Sequence, residues 1–165
     1  PNLTRMLYLS MVEPYLNYCN LLWASANPSV LLNKVLIVQK RFIRLMTFSD
    51  YQAHSKPLFF RLYILPIYEL YKYNLAVYMF RIINNLIPSL THHQFILNSS
   101  IHHHNTRSKS KIHSRYCRTA MRQNTFAFQG PRLWSELPSY LTTATSLPIF
   151  KKIAKSFFVN KICSI

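Results

Sequence analysis

Apolar residues recur along this chain at helical spacing, and prolines cut the pattern into segments. The stretch "LTRMLYLSMVEPYLNYCNLLWAS" reads as helical on both sides of Pro14, which should kink it or split it, with Thr4 capping its start. After "ANP", Ser29 is a suitable N-cap for "VLLNKVLIVQKRFIRLM". On a wheel of about 100° per residue, Leu31, Leu32, Val35, Leu36, Phe42, Ile43 and Met46 share one broad face. Lys34, Lys40, Arg41 and Arg44 gather on the opposite arc. The expectation is an amphipathic helix with a purely basic polar face, which intrahelical ion pairs do not explain.

"FSDYQAHSKP" reads as a loop, and "PLFFRLYIL" as a short helix stopped by Pro66. "PIYELYKYNLAVYMFRIINNLIP" is the strongest helical segment, ending near Asn84 and Asn85. It is apolar around nearly its whole circumference, as expected of a helix in the middle of a bundle. For its Tyr68, Tyr71, Tyr73 and Tyr78, core packing with the hydroxyl reaching water is favoured over base stacking. From Ser89 to Arg122 the periodicity fails; loop is expected, with short strands at Ile112–Arg118 and Thr125–Gln129. "QGPRLWSELP" predicts a turn at Gly130-Pro131, then a short helix burying Leu133, Trp134 and Leu137. In "SLPIFKKIAKSFFVNK", Ser146 is the expected N-cap and Pro148 lies in the first turn. Ile149, Phe150, Ile153, Ala154, Phe157 and Phe158 should face inward, and Lys151, Lys152 and Lys155 outward. The fold class is therefore mainly α: a helical bundle with a basic, loop-rich region that has room for one short β-hairpin. Residues 88–112 are the best place for a hinge or subdomain boundary.

Charge sharpens the picture. The chain has 165 residues, with twenty lysines and arginines against four acids: Glu13, Asp50, Glu69 and Glu136. No acid occurs from Leu70 to Leu133. A field of that sign concentrates polyanions, with nucleic acid the first candidate and an anionic membrane surface the second. A single glycine, Gly130, excludes a P-loop and a dinucleotide-binding fingerprint. Cys19, Cys117 and Cys163 are too scattered for a disulfide framework or zinc knuckle, and fit a reducing intracellular compartment, nuclear or cytoplasmic. No apolar run is long enough to span a bilayer and no signal-peptide pattern is present. The chain begins at Pro1, as expected of a piece of a longer protein.

Four dispersed acids are too few to hold catalytic Mg²⁺, and neither H-E-x-x-H nor a nucleophile elbow occurs. "IHHHNTRSKSK" brings His102, His103 and His104 together, but adjacent residues diverge and do not readily share one tetrahedral ion. The cluster reads better as a polar loop whose histidines become cationic beside a polyanion. Arg107, Lys109, Lys111, Arg115, Arg118 and Arg122 follow within sixteen positions, interleaved with the serine, threonine and asparagine residues that contact phosphate and sugar. Tyr116 and Phe126 are candidate stacking residues. The candidate nucleic-acid-binding set is Lys34, Lys40, Arg41, Arg44, His104, Arg107, Lys109, Lys111, Arg115, Arg118, Arg122, Lys151, Lys152 and Lys155. No catalytic residue and no metal ligand is assigned.

Taken in order, the motifs resemble the C-terminal region of non-LTR, LINE-type (jockey-like) retrotransposon reverse transcriptases. "LYLSMVEPYLNYCNLLWA" is similar to that family's stretch through Leu7, Tyr8, Ser10, Pro14, Tyr15, Leu16, Tyr18, Cys19 and Trp23. Gln39, Lys40, Arg41, Ile43 and Arg44 match its Gln-Lys-Arg-x-Ile-Arg helix end. His54, Pro57, Leu58, Phe59, Leu62, Ile64 and Leu65 match its His-x-x-Pro-Leu-Phe segment. His102, His104, Asn105, Thr106 and Arg107 match its His-x-His-Asn-Thr-Arg element. "FAFQGPRLWSELP" and "SLPIFKK" resemble its last two elements. Ser135 departs from the usual asparagine and Ala24 from the common glycine.

The resemblance implies a piece of an RNA-directed DNA polymerase. The polymerase carboxylates and the endonuclease of such enzymes lie upstream of the matched region, so this chain alone is expected to be inactive, with Mg²⁺ confined to that upstream core. By the same analogy, residues 1–47 are a thumb-like helical segment, 48–88 central helices, and 89–165 the basic loop region with the C-terminal amphipathic helix. The implied partners are template–primer, element RNA and the upstream palm and fingers, with no membrane. A retroelement relic that binds nothing specific and a basic amphipathic membrane-surface protein are the competing expectations.

Overall fold

The computed structural model describes residues 2–26, 30–88, 95–101, 104, 107, 109, 111–113 and 116–163. These are mainly helical, as the periodicity predicts, and they divide into two compact units.

The first unit comprises residues 1–74 and 154–165. It opens with α1 (Asn2–Met11), α2 (Glu13–Asn17) and α3 (Asn20–Ala26). Pro14 does split the first segment, and it occupies the first turn of α2, where its missing N–H costs nothing. Thr4 lies inside α1 and so is not its N-cap. Cys19 takes a left-handed conformation (φ 47°), which lets α3 leave in a new direction. Next comes α4 (Val30–Thr47); Ser29, its expected cap, lies outside the described residues. α5 (Ser55–Leu62) starts after extended His54 and is closed by left-handed Tyr63, whose N–H reaches the Phe59 and Phe60 carbonyls.

α6 (Ile67–Ile83) starts in the first unit and ends in the second, residues 75–153. No residue from Ile67 to Ile82 is exposed, in keeping with its all-round apolar sequence. It closes at Asn85 (φ 56°), with the Leu86 N–H bonded to the Arg81 carbonyl at 2.8 Å.

The predicted loop region contains α7 (Asn98–Ile101), an antiparallel bridge between Leu97 and Ile112, and α8 (Ala120–Gln123). The strand expected at Thr125–Gln129 is not one. Thr125 is the extended residue before α9 (Phe126–Glu136), and the Gly130-Pro131 step expected as a turn lies inside that helix. Gly130 there is a close-approach residue: a Cβ would stand 2.5 Å from the Met79 sulfur on α6. Tertiary packing thus overrides the local turn signal. α10 (Ser139–Thr142) and α11 (Leu147–Cys163) follow, with Pro148 in the first turn of α11. The second unit's core holds stacked Phe80 and Phe150 (centroids 4.4 Å apart), with Trp134 5.9 Å from Phe150. Leu133, Trp134 and Leu137 are half-buried.

Candidate nucleic-acid interface

In the second unit the basic loop is closed by a short ladder. The His113 N–H donates to the Ile96 carbonyl (2.7 Å), Asn98 to Lys111 (3.0 Å) and Ser99 to Lys109 (3.1 Å). His113 Nδ1 also meets Asn98 Oδ1 at 3.1 Å. Together with the isolated Leu97–Ile112 bridge, these bonds tie His113 to Ile96 and fix the backbone of Lys109 and Lys111 against the first turn of α7. Both are exposed, as are His104 and Arg107 on the loop that the ladder closes. His102, His103 and Arg115 lie outside the described residues.

Past the ladder, the chain alternates about buried Cys117, leaving Tyr116 91% exposed and Arg118 exposed. Gln123 Nε2 ties this segment to α8 by donating to the Cys117 carbonyl at 2.8 Å, and Arg122 is exposed in the last turn of α8. Phe126 has a different setting from the one its sequence position suggested. Its ring meets Tyr78 edge-on at 5.6 Å and Phe95 at 6.4 Å, so it belongs to the packing of the unit and offers no free stacking face. Tyr116 keeps one.

The helical cations divide. On α4, Lys34 and Arg41 are exposed and Lys40 is half-buried. Arg44 anchors the following loop: its Nε donates to the Ala53 carbonyl (3.0 Å) and its guanidinium lies 5.9 Å from the Tyr51 ring. The inward arc of α4 is also rotated from the expected one, with Leu32, Gln39 and Ile43 buried while Leu31 and Phe42 are exposed. On α11, Lys152 is exposed but Lys151 and Lys155 are half-buried, because burial of Val159 and Ile162 widens the inward face toward them. Lys155 Nζ sits 5.7 Å over the Tyr63 ring. Thus Lys151 and Lys155 do not point straight outward as the wheel suggested, whereas Ile149 is 47% exposed. Exposed Lys56, Arg61 and Lys161 are cations that the sequence reading left out.

Acids do little to offset this charge. Glu69 pairs with Lys72 at 2.8 Å and Glu136 with Arg132 at 3.6 Å, and neither cation belongs to the candidate set. The second unit carries ten lysines and arginines against one acid, Glu136. Among the described residues no three His, Cys, Asp or Glu side chains form a group able to hold a metal ion, and no helix is long and apolar enough to cross a membrane.

The chain matches no family model, no curated protein and no solved structure.

Proposed function

We propose that this chain is a nucleic-acid-binding, non-catalytic part of an RNA-directed DNA polymerase of the non-LTR retrotransposon kind, contacting template RNA and primer DNA. Six motifs in family order support the polymerase reading, and the charge supports the binding reading. The single observation that carries it is the ladder-closed loop: His104, Arg107, Lys109 and Lys111 all stand exposed in a unit with one acid. Flexible cations presented on a fixed base neutralise phosphates without reading sequence, and Tyr116 adds a stacking surface that accepts any base. By the resemblance, the polymerase carboxylates lie upstream of the matched region, so the expected activity of this chain is binding.

The test is a triple variant, Arg107→Gln, Lys109→Gln and Lys111→Gln, titrated against a fluorescent RNA hairpin with a single-stranded 3′ tail and against an RNA–DNA hybrid. The proposal expects affinity for both to fall on the order of tenfold at moderate salt, since each lost phosphate contact weakens binding at any sequence. Unchanged affinity for both substrates contradicts it. A melting curve of the variant separates lost affinity from lost folding.

A further inference from the structure

In the first unit, α1 and α4 leave an apolar groove between them that no described residue fills. It has a volume of about 470 Å³ and is lined by Thr4, Leu7, Tyr8, Met11 and Val12 on the α1 side and by Phe42, Leu45 and Met46 on the α4 side. Tyr8 at its floor is buried, but four of its lining residues are not: Leu7, Met11, Phe42 and Leu45 are 50%, 64%, 42% and 71% exposed. On α4 the apolar strip continues backward through exposed Val38 and Leu31, which fall on the same arc of the helix as Phe42. That strip runs from position 31 to 45, about 21 Å at 1.5 Å per residue, or roughly four helical turns.

Charge identifies the occupant. On the wheel, Lys34 and Arg41 occupy the arc immediately outside the Val38–Leu45 strip, and both are exposed. No acid occurs anywhere on α4, and Glu13, just after groove residue Val12, is the one carboxylate next to the lining in the chain. An apolar trough with one cationic bank fits an amphipathic helix whose apolar stripe is flanked by carboxylates. Two methionines in the lining suit the same occupant, because unbranched thioether side chains adjust to a helix's ridges. A lipid surface favours a raised apolar face over a trough between two helices. We therefore propose that the α1/α4 groove is a docking site for an acidic amphipathic helix of a partner protein, which would share Lys34 and Arg41 with the candidate nucleic-acid-binding set.

The probe is a pair of fluorescent 18-residue synthetic helices with the same leucine stripe, one with a glutamate polar face and one with a lysine polar face. They are titrated with the 165-residue chain by anisotropy. The proposal expects the glutamate helix to bind at micromolar levels and the lysine helix at least about tenfold more weakly. The variant Phe42→Gln/Leu45→Gln should weaken the glutamate helix about tenfold or more while leaving RNA affinity unchanged. Lys34→Gln/Arg41→Gln should cost a few-fold and flatten the salt dependence. If Phe42→Gln/Leu45→Gln has a lowered melting temperature, Met11→Gln, on the opposite wall, replaces it and must give the same loss. Four results overturn the proposal: no binding of the glutamate helix; binding that ignores the glutamine substitutions, which would be attraction to net charge alone; a self-dimer that Phe42→Gln/Leu45→Gln dissolves; or a groove-dependent affinity for phosphatidylserine vesicles with none for the helix.

Discussion

Gln39 shows how one side chain ties the first unit together. Its Nε2 donates to the Tyr8 hydroxyl (2.8 Å) and to the Leu65 carbonyl (2.9 Å), and its Oε1 accepts the Ile67 N–H at 2.9 Å. That last bond satisfies one of the orphan donors at the start of α6. The amide is 2% exposed, so water cannot replace any of the three partners. Gln39→Leu fills similar volume but strands Leu65, Ile67 and Tyr8, and should cost about 3 kcal/mol of stability, read as a lowered urea midpoint with unchanged slope. Burial, opposed by the Gln39 hydrogen bond and helped slightly by Glu13, pushes the Tyr8 hydroxyl up to about 12. A phenol in the unfolded chain titrates near 10. Since the folded value is the higher one, the neutral phenol's contribution is full below pH 10 and is lost as pH rises to about 12. The loss is on the order of 2–3 kcal/mol. Tyr8→Phe should therefore lose less stability than the parent between pH 10 and 12, and equal pH profiles would refute the assignment. The motif position of Gln39 was legible in the sequence, but its role was not, because periodicity places a glutamine on α4 without saying that three buried groups await it. Tyr71 likewise defeats its expected role: its hydroxyl is buried, with no hydrogen-bond partner among the described residues, instead of reaching water, and burial raises its pKa.

At the level of elements, the helices whose periodicity was strongest came out as expected, α6 above all. The failures share a cause: a neighbour not visible in the sequence decided the conformation. Gly130-Pro131 has the local chemistry of a turn, yet it stays helical because α9 must press against Met79 on α6. Gly130→Val should therefore overpack that contact and destabilise the protein by about 2 kcal/mol, seen as a drop in thermal midpoint. A neutral result would mean that Met79 swings clear. The wheel for α4 predicted an amphipathic helix correctly but placed its inward arc too far toward Leu31 and Phe42, because hydrophobicity alone cannot tell a core face from a face meant for a partner. The same ambiguity made the α11 lysines look uniformly solvent-facing.

For the whole molecule, charge is the property that composition revealed most directly and packing altered least. Of the candidate cations, Lys34, Arg41, His104, Arg107, Lys109, Lys111, Arg118, Arg122 and Lys152 are exposed, whereas Arg44 and Lys155 have work inside the fold. The ladder that presents the loop cations was only half legible. The sequence suggested a strand beginning at Ile112, but nothing in it named residues 96–99 as the partner. The proposed polyanion site must bind through counterion release, whereas a relic without such a site need not. The most direct test is the affinity of the 165-residue chain for a structured RNA from about 50 to 200 mM salt. With five or more phosphates neutralised, log K should fall against log [salt] with a slope of about −4 or steeper. A slope near zero, or no measurable binding at the low end of that range, would contradict the nucleic-acid reading.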